Sequence, residues 1–363
     1  MFKLEALKAK HGDCLILQWG ESDEPKDRKV ALIDGGPDTV YPKWLKPRLT
    51  ALAEELGQAP LKLDLTMVSH IDDDHIQGIL DFADDVENGD APADIGILWH
   101  NSLEGLLDHE IEDDPAVQGV TASLTSPTAK TDDRWYGKVL SSVPQGQMLH
   151  AFAKRHGIDH RCNAPYQPLV LLRDGMDDAP FGGLQLQVVG PNAEELEKLR
   201  KQWKRKRRQS ITAAYSDRSP YNLSSIIVMA CFGRRRALLT GDARGDKIIE
   251  GLARRRMLDA DGRLHVQLLK LMHHGSQNNV DAEFFSTVTA DAYVVSGDHV
   301  KFPNPHEKAM KWLAEARGDD DYTIYCTYDL PYMRKIFGDR LVVPEDEDGS
   351  VVVDIEALPV ADE

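Results

Sequence analysis

The sequence predicts an α/β fold: a four-layer αββα sandwich, in which two β-sheets pack face to face with helices outside. Two observations indicate this fold. The chain contains two β-rich blocks, and each block is closed by segments with helical apolar spacing. With 363 residues, 42% of them hydrophobic, the chain is long enough to bury a large core. Its composition is that of an ordinary globular protein, which excludes wholesale disorder.

The first block begins with short strand-like segments separated by polar turns, the pattern of a β-meander. An apolar spacing of three and four residues then predicts a helix, and a continuous apolar run predicts a further strand. The predicted elements are strands at 2–8, 14–19 and 29–33, a helix at 41–56 and a strand at 61–68.

The second block repeats this alternation of strands and helices. Its predicted elements are strands at 184–189, 225–231 and 237–239, a helix at 246–256, strands at 266–271 and 292–295, and a helix at 307–316. We therefore expect one domain over 1–340, with its core at 1–100 and 184–340.

Two further segments lie outside this core. Residues 101–183 have mixed polarity and no sustained period, so we expect them to form an insertion. After Arg340, two apolar runs flank an acidic Asp-Gly turn, which predicts a C-terminal β-hairpin with an acidic tail over 341–363.

Charge and cysteine usage restrict the compartment and the partners. The net charge is −17 and the pI is about 5.2, so a nucleic-acid partner must be met at a local basic patch or through bound cations. No apolar run is long enough to span a bilayer, and the first residues do not resemble a secretory signal. The four cysteines form no CxxC pair. We expect reduced thiols and a cytoplasmic protein without membrane contact.

The most informative local motif is Ser69-His-Ile-Asp-Asp-Asp-His75, directly after the predicted strand 61–68. In an extended chain, His70, Asp72 and Asp74 point the same way, and His75 follows at the first helical turn. Taken alone, the segment is equally compatible with an acidic helix start and two surface histidines.

Similar residues recur at the ends of two other predicted strands. Asp242 follows the run Leu-Leu-Thr-Gly, and His273-His274 follow Leu-Leu-Lys-Leu-Met. The carboxyl ends of strands in layered α/β folds converge at one edge, where sites are built. Clustered carboxylates repel one another unless cations are present, so the pattern predicts a site for two divalent metal ions.

These motifs carry a family resemblance. The strings HIDDDHIQG, LLTGD and LMHHGS, supported by KHGDCLIL, ALIDGG, NLSSIIV and FPNPHEKAMKWL, resemble the metallo-β-lactamase superfamily. Within it they are most similar to the hydrolase domain of ComEC-type competence proteins. The resemblance covers residues 1 to about 100 and 184 to about 315, and it implies a metal-dependent hydrolase.

The resemblance also implies a ligand set. His70 and Asp72 would hold the first metal, Asp74 and His75 the second, and Asp242 would bridge the two. One of His273 and His274 would complete the second site, and the other would steer substrate or contact the first metal; the sequence does not separate these roles.

The sequence departs from the superfamily pattern at the first site. Asn222 and Ser224 stand near the usual third histidine, and we assign these weaker ligands to substrate binding. An oxygen-rich first site makes Mn²⁺ nearly as plausible as Zn²⁺. His306, at the start of the helix 307–316, stands where the family has a further histidine; its alternative is a helix-start residue with no catalytic part. His11, Asp13, Asp34 and His299 are interpreted as turn residues.

Two divalent ions about 3.5 to 4 Å apart can lower the pKa of a bridging water and produce a hydroxide. Asp74, His274 and His306 are the candidate catalytic residues. This chemistry is compatible with phosphodiesters, thioesters, lactams and lactones.

A basic segment narrows the choice of substrate. The run KLRKQWKRKRR at 198–208 contains eight basic residues, among them Lys204, Arg205, Arg207 and Arg208, and an aromatic residue for stacking on a base. The same run is also compatible with a solvated helix face or a docking patch for an acidic protein. The sequence therefore favours a phosphodiesterase or nuclease acting on nucleic acid or nucleotides.

Two other functions remain open. One is hydrolysis of a carbon ester, thioester or lactone by the same fold. The other is a binding or scaffold subunit of a multi-protein system, such as genome defence, with a degenerate site and a protein partner at the insertion 101–183 or the basic helix 198–208.

Overall fold

A six-stranded sheet and an eight-stranded sheet form the centre of the molecule. The computed structural model describes residues 1–101, 134–196, 224–346 and 349–360, and the two strand counts refer to these residues. The strands of the first sheet are β1 (Phe2–Ala6), β2 (Leu15–Trp19), β3 (Lys29–Ile33), β4 (Leu61–Met67), β5 (Ala93–Trp99) and β14 (Val351–Asp354).

The first sheet has the order β14-β1-β2-β3-β4-β5. Strands β1, β2 and β3 are antiparallel, as in the predicted meander, and β14 adds to them antiparallel to β1. Strands β3, β4 and β5 are parallel. The parallel strands β3 and β4 end side by side, with Ile33 opposite Met67. The loops after these two strands therefore begin at the same edge.

The second sheet has the order β13-β12-β11-β10-β9-β8-β7-β6 and is also mixed. Strands β6 to β9 are antiparallel, and β9 to β13 are parallel. The strands are β6 (Ala179–Phe181), β7 (Leu184–Gly190), β8 (Ile227–Phe232), β9 (Arg235–Leu239), β10 (Leu264–Lys270), β11 (Val288–Val295), β12 (Thr323–Cys326) and β13 (Leu341–Val342).

Helices cover the outer face of each sheet. The helices are α1 (Lys46–Leu56), α2 (Asp73–Asn88), α3 (Arg134–Arg155), α4 (Gly245–Arg254), α5 (Ala282–Thr287), α6 (Glu307–Arg317) and α7 (Pro331–Phe337). The predicted helix 41–56 is divided, since a π-helical turn over Tyr41–Leu45 precedes α1.

Three buried apolar clusters correspond to the spaces between the layers. The central cluster packs one sheet against the other and includes Trp19 and Leu268. A second cluster packs α1, α2 and α3 on the first sheet, and a third packs α4 to α7 on the second sheet. Two mixed sheets flanked by helices confirm the predicted αββα class.

The predicted C-terminal hairpin is wrong. β13 joins the second sheet beside β12, whereas β14 joins the first sheet beside β1. An isolated two-stranded hairpin is only marginally stable in water, and each of these strands instead completes the edge of a large sheet. In β14, Val351 and Val353 alternate into the central cluster.

The predicted insertion 101–183 contains regular structure in its described part. Helix α3 packs against α2, and Gln145 donates hydrogen bonds to Asp73 Oδ1 at 2.9 Å and Gln77 Oε1 at 2.7 Å. Strand β6 lies at the edge of the second sheet. The basic run 198–208 and Asn222 lie outside the described residues.

In the described part of the chain, no helix combines the length and the hydrophobicity needed to cross a membrane.

Candidate metal centre

Four buried side chains converge where loops from both sheets meet. Each of Asp13, His75, Asp242 and His274 offers a ligand atom, and these atoms all lie within 4.8 Å of one another. Within the described ranges, no other group of three or more His, Cys, Asp or Glu residues meets this criterion. All four side chains are at most 2% exposed.

The local backbone explains how strand ends supply these residues. His75 lies in the first turn of α2, shortly after β4, and Asp242 follows β9 through Gly241, which has a φ of 50°. The doublet after β10 has left-handed backbone at both positions, with φ of 46° for His273 and 53° for His274. Such conformations are uncommon for residues other than glycine and concentrate at functional sites.

The two carboxylate oxygens of Asp242 face different pairs of histidines. Oδ1 lies 3.2 Å from His75 Nε2 and 3.6 Å from His274 Nε2. Oδ2 lies 3.7 Å from His70 Nε2 and 3.5 Å from His273 Nε2. Asp242 is therefore central to four imidazoles, two beside each oxygen.

Hydrogen bonds at the opposite ring nitrogen hold all four imidazoles. The Nδ1 atoms face Ser69 Oγ at 3.1 Å for His70, Asp34 Oδ2 at 2.8 Å for His75, Asn279 Oδ1 at 2.7 Å for His273 and Ser296 Oγ at 2.9 Å for His274. These acceptors favour the tautomer with the proton on Nδ1. The lone pair of each Nε2 is then directed toward Asp242.

The donor set fits a divalent metal. Nε2 of His70, His75 and His274 and Oδ1 of Asp242 are buried, and none has a hydrogen-bond partner among the described residues. Buried polar atoms are nearly always satisfied, and bound cations would satisfy all four. A mixture of imidazole and carboxylate ligands suits Zn²⁺ or Mn²⁺.

The electrostatics of the centre favour the ionised carboxylate of Asp242 and act in opposite directions on two of the imidazoles. Burial opposes ionisation of Asp242, but the facing His273 and His75 outweigh it, so the pKa of Asp242 lies well below its ordinary value. Burial lowers the pKa of His273. For His75, burial lowers the pKa, but the carboxylates of Asp242 and Asp34 overcome this effect and raise it.

Other predicted site residues lie close by. Asp72 Oδ2 is 3.7 Å from His70 Nε2. Asp74 is buried in the first turn of α2, outside the group of four, and its backbone carbonyl accepts a hydrogen bond from Asp13 N. Ser224 is buried. The roles of these residues as ligands or in binding stay predictions.

His306 is the residue before the first turn of α6 and is partly exposed. Its Nδ1 is buried and has no hydrogen-bond partner in the described part of the protein. Burial, followed by the charges of His299 and His273, lowers the pKa of His306. The predicted catalytic role of His306 remains a prediction.

Asp13 and Asp34 are buried in the centre, so the sequence-based interpretation of these two carboxylates as turn residues is wrong. Asp34, with a φ of 58°, accepts hydrogen bonds from the backbone and hydroxyl of Ser69, each at 2.7 Å, as well as facing His75. Asp13 faces His274 Nδ1 at 3.3 Å. Asp34 follows a strand that is parallel to the one before His70, and this shared strand-end position is the signal that could have identified it.

Comparisons with known proteins give distant structural similarity only. No protein-family model matches the chain, and no curated protein matches it. One similar crystal structure is that of a presumed metal-dependent hydrolase from Parabacteroides distasonis, with 11% identity and a TM-score of 0.38, covering 90% of this chain and 93% of that chain. Another is a diphosphatase from the PhnP family, with 12% identity and a TM-score of 0.39, covering 99% of this chain and 100% of that chain.

Proposed function

We propose that this protein is a metal-dependent hydrolase whose centre holds two divalent ions. The observation that carries the proposal is the set of buried, unpartnered ligand atoms around Asp242. Because imidazoles lie beside both carboxylate oxygens, Asp242 is suited to bridge two ions.

The ligands divide between the two oxygens of Asp242. His75 and His274 would hold one ion with Oδ1. His70 and His273, with Asp72 near His70, would hold the other with Oδ2. This division would assign His274 to one ion and His273 to the other. A bound divalent pair supplies a water of lowered pKa and neutralises the negative charge that develops on the group being cleaved.

The chain's own residues prepare the centre for this chemistry. The imidazoles are oriented by hydrogen bonds from Nδ1 to Asp34, Ser69, Asn279 and Ser296. Little reorganisation is therefore needed when metal ions and substrate bind. His306 has a lowered pKa and lies near His273. We assign it the transfer of a proton to or from substrate, with Asp74 and His274 as the other candidates.

We propose a phosphodiester in nucleic acid or nucleotides as the substrate. The resemblance of the metal motifs to ComEC-type hydrolase domains supports this class. The basic run 198–208, in a chain of net charge −17, supports it independently because phosphate backbones are attracted to concentrated positive charge.

Metal content tests the centre. We would strip the protein with a chelator, reload it with Zn²⁺ or Mn²⁺, and measure bound metal in wild type, Asp242→Asn and a control, Asp291→Asn. The control also removes a carboxylate that faces an imidazole, since Asp291 Oδ1 lies 3.2 Å from His265 Nε2. We expect metal in wild type and control and its loss in Asp242→Asn. Equal metal in all three proteins would contradict the proposal and favour the scaffold function.

Turnover decides which bond is cleaved. With each metal added separately, we expect hydrolysis of bis-p-nitrophenyl phosphate and little turnover of thioester or lactone substrates. The opposite preference would replace the phosphodiesterase proposal with the carbon-ester alternative.

A further inference from the structure

We propose that Asp13 is a positioning residue that orients His274, and that Lys270 keeps Asp13 from binding the metal. This inference rests on the proposed function. Asp13 belongs to the group of four by proximity, so the question is whether its oxygens are available to a cation.

The loop that carries Asp13 is fixed against α2. A Cβ at Gly12 would lie 1.9 Å from the carbonyl oxygen of Asp74, so only glycine allows this approach. Asp13 N donates to that same carbonyl oxygen at 3.3 Å. The carboxylate of Asp13 therefore has a defined position.

Both oxygens of this carboxylate have partners within the protein. The side chain of Lys270 is 1% exposed, and its Nζ donates to Oδ2 at 2.5 Å and to Leu271 O at 3.0 Å. The Ser296 hydroxyl donates to Oδ1. Asp242 differs in this respect, since its Oδ1 has no hydrogen-bond partner among the described residues.

Ser296 links the His274 imidazole to Asp13 through two hydrogen bonds. Because Ser296 Oγ donates its proton to Asp13, it accepts from His274 Nδ1, 2.9 Å away. Asp13 Oδ1 itself lies 3.3 Å from His274 Nδ1. This arrangement places the proton on Nδ1 and leaves Nε2 of His274 directed at Asp242. A carboxylate behind a ligating imidazole also raises its basicity.

Lys270 explains why Asp13 stays in this position. If Asp13 Oδ2 moved to a metal, a fully buried ammonium would lose its counter-ion, which is strongly unfavourable. The ion pair therefore keeps the Asp13 carboxylate beside His274 and away from the metal.

Cobalt(II) substitution tests the inference, because the visible absorption of Co²⁺ reports the number and type of its ligands. We would load wild type, Asp13→Asn and the ligand control Asp242→Asn with Co²⁺ alone, then measure equivalents bound, absorption and affinity by chelator competition. For Asp13→Asn we expect the wild-type equivalents and spectrum, with 10- to 100-fold weaker affinity, the usual effect of removing a residue behind a ligand. Loss of an equivalent, or a spectrum of changed coordination as in Asp242→Asn, would overturn the inference.

Lys270→Met tests the second half of the proposal. We expect the released Asp13 to reach the metal and change the Co²⁺ spectrum, and we expect the double variant Asp13→Asn/Lys270→Met to restore the wild-type spectrum. An unchanged spectrum in Lys270→Met would show that Lys270 does not have this task.

If Asp13→Asn fails to fold, the Co²⁺ measurements are made on the double variant instead. The double variant removes both buried charges together, so neither is left unpaired. Failure of wild type to bind Co²⁺ would refute the proposed function itself. Binding by wild type with a lost ligand in Asp13→Asn would refute only the inference.

Discussion

Asp34 Oδ2 lies 2.8 Å from Nδ1 of His75, although the two residues are 41 positions apart in the chain. The same carboxylate accepts two hydrogen bonds from Ser69, so it connects the end of β3 to the loop after β4. The His75 ring is therefore held from behind while its Nε2 faces Asp242.

Replacing Asp34 with Asn should weaken metal binding about 10- to 100-fold. Asn tolerates the left-handed backbone at this position, so the fold should be retained while the charge behind His75 is lost. The measurement is metal affinity by chelator competition. Asp64→Asn is the control, because Asp64 also accepts a backbone hydrogen bond, from Val30 N, but its carboxylate pairs with Lys29 at 3.3 Å instead of facing an imidazole of the centre. Equal affinity in both variants would contradict a role for Asp34 in the centre.

Metal should stabilise the folded protein. The unpartnered atoms around Asp242 have no such arrangement in the unfolded chain, so metal binds the folded state preferentially. At a free metal concentration 100 times Kd, the gain is about 2.7 kcal/mol. We expect Tm to rise by a few degrees on adding Zn²⁺ or Mn²⁺ to chelator-treated wild type, as measured by calorimetry. The same addition should leave Asp242→Asn unchanged; an equal rise there would place the metal elsewhere.

Gly78→Ala should destabilise the protein by about 2 kcal/mol or more. Helix propensity alone predicts the opposite, since Ala is favoured over Gly in a helix by about 1 kcal/mol. However, a Cβ at Gly78 would lie 2.0 Å from the carbonyl oxygen of Gly35, in the loop that carries Asp34. Backbone collisions of this kind cost about 1 to 3 kcal/mol or more.

Gly146→Ala is the matched control for this prediction. The measurement is the free energy of urea unfolding of both variants. Gly146 also lies within a helix, α3, but a Cβ there would make an ordinary contact of 3.5 Å with Ile71. We expect this variant to be stabilised by up to about 1 kcal/mol. Similar effects of both substitutions would show that the contact between Gly78 and Gly35 is unimportant.

His100 should make stability depend on pH. Both ring nitrogens are buried with no hydrogen-bond partner in the described ranges. Burial, together with the charge of His150, lowers the pKa of His100 from 6.5 to about 4. The unfolded chain binds a proton below about pH 6.5, whereas the folded protein does so only near pH 4. The contribution of His100 therefore falls as pH decreases through this window, by about 2 kcal/mol between pH 7 and pH 5.

The measurement is the free energy of urea unfolding at both pH values. His100→Phe has no titrating group at this position, so its loss of stability between pH 7 and pH 5 should be smaller than that of wild type by this amount. An identical loss in both proteins would exclude His100 as the cause.

The basic run 198–208 should govern binding of nucleic acid. Replacing Lys204, Arg205, Arg207 and Arg208 with Ser should lower affinity for single-stranded DNA or RNA and reduce the slope of log affinity against log salt, because fewer counterions are released. The control removes four exposed lysines elsewhere: Lys26, Lys62, Lys308 and Lys335. If the control weakens binding equally, the effect is one of net charge, and the run itself is not the binding surface.

Local sequence patterns determined the αββα class and the metal motifs of this protein. Strands and helices were recognisable because apolar spacing is a property of consecutive residues; β3 is predicted at its observed bounds. His75, Asp242 and His274 are recognisable as candidate ligands for the same reason, since each belongs to a short motif at the end of a strand. The predicted convergence followed from the general rule that parallel strands end at one edge.

Only the tertiary structure decided which side chains complete the centre. The contacts of Asp13 with Lys270 and of Asp34 with His75 join residues that are 257 and 41 positions apart, and no local period encodes such distances. The same reason applies to the C-terminal strands: an Asp-Gly turn predicts a hairpin, but free edges of two different sheets were available to β13 and β14. Sequence specifies which groups can bind or pair, whereas the packing of the two sheets determines which of them meet.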